Sequence, residues 1–210
     1  MTSAGSSDNQ GGRRPGAGEP ESGWLFGAAP DSLLFRQTHV TCGGNVLIVG
    51  DSHVLLCGAD RAFPGCDVSA RFGRESTEGL QVVEMALRPD HEVVVFDLAS
   101  NDVLAPEVLE ANLGSLLELT GSRQVVLVNT WRADFRNLHL KVNRILSEFA
   151  DGHPELVVLV DWAEFIDAHP SPHGEDPDYV HFSTEVYVER IVVVSDAIER
   201  ALARGRDVSA

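Results

Sequence analysis

Residues 46–53 read V-L-I-V-G-D-S-H. Four apolar residues in unbroken succession, three of them β-branched, describe a strand buried on both faces, the kind that lies inside a parallel sheet. The run stops abruptly at Gly50, Asp51 and Ser52. A turn needs only a glycine and a polar residue there. A hydroxyl has a second use in that place, because sites in open α/β sheets lie beyond the carboxyl ends of the strands. Whether Ser52 closes a turn or serves as a nucleophile depends on what the other strand ends carry.

Further apolar runs occupy Glu92–Leu98, Gln124–Asn129 and Leu156–Asp161, with a weaker one at Cys66–Ala70. Between them lie stretches of helical period. Ser76–Leu87 starts at a residue suited to an N-cap and has Pro89 just beyond it. Pro106–Leu119 opens on proline. Phe135–Phe149 places Leu138, Val142, Ile145, Leu146 and Phe149 along one face. Thr184–Ala203 is a long amphipathic segment with Arg200, Arg204 and Arg206 at its end, where cations suit the helix dipole. Strands alternating with helices predict an α/β domain around a mainly parallel, five-stranded sheet.

The chain has 210 residues, enough for one domain with a substantial core. Residues 1–23 are rich in Gly, Ser, Pro and Glu, and read as a disordered tail; residues 24–210 read as one domain. The formal net charge of −16 repels phosphate backbones and anionic headgroups, so neither nucleic acid nor a membrane is an expected partner. The first residues hold no apolar signal segment, and no run is long enough to span a bilayer. The expectation is a cytoplasmic protein. Cys42, Cys57 and Cys66 form no C-x-x-C pair, and are expected as three reduced thiols.

Polar groups cluster at the predicted strand ends. Ser52 follows the first strand, Gly73 lies in a loop after the second, and Asn101 follows the third in A-S-N-D at 99–102. A serine hydroxyl is a poor nucleophile without a base, and the base needs an orienting group. D-P-D-Y-V-H at 176–181 offers both, since Asp178 and His181 stand three residues apart; Asp176 is the rival orienter.

Together these blocks resemble the SGNH, or GDSL-type, hydrolase superfamily. G-D-S at 50–52, Gly73 in A-R-F-G-R, N-D at 101–102 and D-Y-V-H at 178–181 follow the family's order across roughly residues 44–203. V-L-V-N-T before Trp131 and V-D-W at 160–162 resemble the SGNH domains fused to membrane sugar acyltransferases. The resemblance implies a three-layer α/β/α, flavodoxin-like fold. It implies Ser52 as nucleophile, His181 as general base and then acid, and Asp178 as its orienter. The oxyanion hole would comprise the Ser52 and Gly73 N–H groups and the Asn101 side chain. Neither a cofactor nor a metal is implied. Ala99 stands where the family usually has glycine, and would bear on pocket size.

Some residues carry a plainer reading beside the functional one. Asp51 suits a local hydrogen bond that holds the turn. His53 and Trp131 are candidates for substrate contact, each with a structural alternative. His169, His173 and Glu175 could suggest a metal, but Pro170 and Pro172 deny them a helical spacing. G-G-N at 43–45 does not match a dinucleotide or phosphate-loop pattern. The expected function is a serine esterase acting on a small-molecule or peptide ester. The alternatives are an O-acyltransferase with the same nucleophile, or a silent binding protein on this fold.

Overall fold

The structure is a computed structural model that describes residues 42–58, 61–169 and 180–208. The predicted tail at 1–23 lies outside that range, as do Asp176, Asp178, His173 and Glu175. The strands are β1 (Val46–Gly50), β2 (Asp67–Ala70), β3 (Val93–Asp97), β4 (Gln124–Val128) and β5 (Val157–Val160). The helices are α1 (Ser52–Leu56), α2 (Ser76–Ala86), α3 (Pro106–Thr120), α4 (Arg136–Gly152), α5 (Trp162–Ala168) and α6 (Thr184–Val208). The strands form one sheet in the order β2-β1-β3-β4-β5, every pair parallel. The chain therefore starts near the middle and winds outward both ways, which is the flavodoxin-like order.

Valine-rich runs become central strands because both sheet faces are covered. Val46, Ile48, Val93, Val95, Val126 and Val128 point into one core with Val186, Ile191, Val194 and Ile198 of α6. Their neighbours Leu47, Val49, Val94, Phe96, Val125 and Leu127 point into the other, against Val83, Leu109, Leu113, Val142 and Leu146 of α2, α3 and α4. Strict alternation along each strand thus builds two cores and three layers.

Two short helices lie outside the sequence expectation. α5 is too brief to show a period, and begins where Asp161, expected at the end of a strand, caps it by accepting the Glu164 N–H at 2.9 Å. At α2, Ser76 is not the N-cap; Glu75 is, without a side-chain cap. The first turn is capped from elsewhere, by Asp102.

The cysteine expectation is corrected. Cys42 and Cys66 are joined by a disulfide, with Cα atoms 4.8 Å apart, and Cys57 alone is free and buried. The cause is topological: Cys42 precedes β1 and Cys66 immediately precedes β2, and these strands pair side by side. Backbone bonds from Cys42 N–H to Pro64 O and from Gly44 N–H to Gly65 O align the segments that lead into both strands. No described helix is long and apolar enough to cross a membrane.

Candidate active site

β1 delivers Ser52 to the carboxyl edge of the sheet as the first residue of α1. The turn is tight enough to require Gly50, since a Cβ there would lie 2.2 Å from a methyl of Val54. Being first in a helix, the Ser52 N–H has no intrahelical acceptor. His181, just before α6, brings Nε2 to 2.9 Å from Ser52 Oγ across 129 residues of sequence. A hydroxyl and an imidazole at this separation have the geometry that a nucleophile–base pair needs.

The loop after β2 carries Gly73 at φ +66°, a left-handed conformation that leaves space where a Cβ would stand. The loop after β3 carries Asn101. Its Nδ2 donates to Asp51 Oδ2 at 3.1 Å and to the Arg74 carbonyl at 3.1 Å. The Asn101 amide thus bridges the turn that holds Ser52 and the loop that holds Gly73. Ala99 is buried among the core residues on the α2–α4 side, so its methyl fills the core.

No family model and no curated protein matches the sequence. Solved structures do match the fold. The C-terminal catalytic domain of peptidoglycan O-acetyltransferase A from Streptococcus pneumoniae superposes with a TM-score of 0.62 at 20% identity, over 80% of this chain and 97% of that one. An acetylxylan esterase from Geobacillus stearothermophilus, solved as a catalytic mutant, gives 0.58 at 17% identity, over 77% and 95%. A putative SGNH hydrolase from Slackia heliotrinireducens gives 0.57 at 18% identity, over 73% and 96%. The chain has the SGNH-hydrolase fold.

Within this SGNH fold, the Ser52 turn rests on a buried charged layer of which only Asp51, expected to hold the turn by a local hydrogen bond, was legible in the sequence. Asp51 is fully buried and caps α1 by accepting the His53 N–H at 2.8 Å. It also accepts the Ser100 hydroxyl proton, in addition to its bond from Asn101. Burial, with the nearby Asp97 carboxylate, pushes the Asp51 carboxyl up to about 7. Asp97 ends β3 beside Gly50 and receives Arg190 Nη2 on both oxygens, at 2.7 and 2.8 Å. Burial raises the Asp97 carboxyl, and Arg190 opposes that rise. The Arg190 guanidinium also lies 4.9 Å from the ring centre of Trp162.

His53, a candidate for substrate contact with a structural alternative, is buried, with Nδ1 at 3.2 Å from the Tyr187 hydroxyl, which favours the structural role. Burial, then the Arg190, His181 and Arg132 charges, hold it well below the usual histidine range, so it is neutral. Its ring lies 5.6 Å from that of His181, which makes it a wall beside that imidazole. Trp131 is half-buried. It packs near Phe182 and donates its indole N–H to Asp167 Oδ1 at 3.0 Å.

Four side chains stitch the loops together. Arg74 Nη1 donates to Gly50 O at 3.0 Å and to Ser69 O at 2.5 Å. Asp102 accepts the Ser76 N–H at 3.0 Å and its hydroxyl at 2.8 Å, capping α2 from the β3 loop. Arg132 Nη1 reaches Ser100 O at 2.7 Å. Asn129 donates to Asp161 Oδ1 at 2.7 Å and accepts the Ala163 N–H, linking the ends of β4 and β5. The only sequence signal for these bonds was polarity at strand ends, which does not name partners. Among the described residues no group of three or more His, Cys, Asp or Glu could hold a metal ion.

Proposed function

We propose that this chain is a serine esterase that cleaves an acyl ester through an acyl-Ser52 intermediate. The observation that carries the reading is the 2.9 Å contact between Ser52 Oγ and His181 Nε2 at the carboxyl edge of a parallel sheet. His181 takes the hydroxyl proton as Ser52 Oγ attacks the carbonyl carbon, then returns a proton to the departing alcohol oxygen. Water repeats the sequence to free the acid. Asp178 is the proposed orienter of His181. The developing oxyanion is assigned to the Ser52 and Gly73 N–H groups and to Asn101, which would share one of its amide protons. Such donors are worth about 10²–10³ in rate each.

The proposed substrate is a small-molecule or peptide ester. The acidic surface disfavours nucleic acid and anionic membranes as partners. A disulfide suits an oxidising compartment better than the cytoplasm expected from sequence. An O-acyltransferase is the second reading, motivated by the likeness to an O-acetyltransferase domain. It differs only in the group that accepts the acyl chain from Ser52, so product analysis with added alcohols separates the two.

The deciding experiment is labelling with a small alkyl fluorophosphonate, read by intact mass and peptide mapping. The expected result is one adduct on Ser52, absent in Ser52→Ala and strongly slowed in His181→Ala. A folded wild type that takes up no label would refute the nucleophile and leave a binding protein on this fold.

A further inference from the structure

Phe72 is an exposed aromatic beside this site. Its residue surface is 55% exposed, and it belongs to neither hydrophobic core. It precedes Gly73 in the loop after β2, and its ring meets the His181 ring edge-on with centroids 6.3 Å apart. An isolated exposed apolar residue is ordinary and needs no explanation. One standing beside the base of a nucleophile–base pair is in reach of whatever that base serves.

The reaction proposed above gives the placement a direction. During acylation the Ser52 Oγ–carbon bond forms and the Oγ proton moves to His181 Nε2. The bond from the carbonyl carbon to the alcohol oxygen breaks, and the proton on Nε2 passes to that oxygen. The alcohol oxygen must therefore face His181 Nε2 as it leaves, and the Phe72 ring beside that imidazole is within reach of the carbon attached to it. In deacylation water occupies that place, and the phenyl ring has no alcohol portion to touch.

We propose that Phe72 is a specificity-determining residue that packs against the alcohol portion of the ester, selecting alcohols with an apolar or aromatic face over small ones. The proposal rests on the esterase reading and names the substrate class on its leaving-group side. An aromatic contact of this kind is worth about a tenfold preference. It enters kcat/KM, which reports acylation, and not the breakdown of the acyl-enzyme.

The test compares benzyl acetate with ethyl acetate, which share the acyl group and release unactivated alcohols, on wild type, Phe72→Ala and Phe72→Tyr. Wild type is expected to favour the benzyl ester in kcat/KM. Phe72→Ala should lose about tenfold on benzyl acetate and less than about twofold on ethyl acetate, with the rate of acetyl-enzyme hydrolysis unchanged. Phe72→Tyr should keep the preference. A wild type that labels on Ser52 but hydrolyses the benzyl ester no faster than the ethyl ester overturns the proposal alone. So does an equal loss on both esters in Phe72→Ala, which would mean damage to the Gly73 loop. A wild type that neither labels nor hydrolyses either ester removes the esterase reading, and this proposal with it.

Discussion

Replacing Asp51 with asparagine tests the buried charge layer under Ser52 through its pH dependence. In the unfolded chain this carboxyl has its ordinary value of 3.8, and in the fold it stands at about 7. Between those values the folded protein holds a proton that the unfolded chain has shed. Stability from this group therefore falls as pH rises, by about 1.4 kcal/mol per unit. His53 runs the other way. Its folded value is depressed, so the unfolded chain takes up a proton below about 6.5 that the fold refuses, and stability falls on acidification. In the wild type these limbs oppose each other, and Asp97 adds to the carboxyl side. Taking the difference between Asp51→Asn and wild type removes the His53 contribution to first order, and reads Asp51 together with its effect on the neighbouring Asp97. From pH 5 to pH 7 the variant should gain about 2 kcal/mol on the wild type, since the slope is about 1.4 kcal/mol per unit near pH 5 and halves by pH 7, where the folded carboxyl is half ionised. Urea unfolding followed by tryptophan fluorescence at pH 5, 6 and 7 measures it. The hydrogen bonds that asparagine makes less well shift the whole difference by a constant, and do not alter its slope. A difference that stays level across this range would refute the raised carboxyl.

Two further outcomes follow from the same structure. Arg190→Met leaves Asp97 buried beside Asp51 without its cation, and should cost about 3–5 kcal/mol at pH 7 in urea unfolding. Arg190 Nε and Nη1 have no hydrogen-bond partner among the described residues, so the double variant Arg190→Met, Asp97→Leu should recover most of that loss; a double variant as unstable as the single one contradicts this account. The Cys42–Cys66 bond spans 24 residues, and reducing it should lower stability by about 3 kcal/mol. A thiol titration of unreduced, denatured protein should find one free cysteine; three would show the bond absent.

The sheet was legible because its information is local. Every predicted strand lies within two residues of an observed one, since a buried parallel strand announces itself by a continuous apolar run. The four long helices were legible for the same reason, through their period and through Pro106 at the start of α3. α1 and α5 were not, because five and seven residues hold no period. Site residues divide along the same line. Ser52, Gly73, Asn101 and His181 stand in short motifs, and the fold brings Ser52 and His181 into contact. Arg190 pairs with a residue 93 positions earlier, and Cys42 meets Cys66 only because β1 and β2 are neighbours. Composition makes three thiols look reduced; the adjacency of two strand beginnings decides otherwise. Sequence left His53 open between substrate contact and structure; one step along a helix rotates a side chain by about 100°, which turns it away from Ser52 into the core.

That rotation is one instance of how the site is committed. Asn101 is tied to Asp51 and Arg74, Ser100 to Asp51 and Arg132, Asp102 to Ser76, and His53 to Tyr187. Each of these polar side chains of the inner ring already has a protein partner, so they hold the loops at one geometry and have little freedom to adapt to different ligands. Preorganisation of this kind serves a reaction whose charge develops at one place, because a frame already fixed need not reorganise as the barrier is crossed. It also moves discrimination among substrates outward, to side chains with no internal commitment. Among the described residues next to His181, Phe72 is a ring that meets that description.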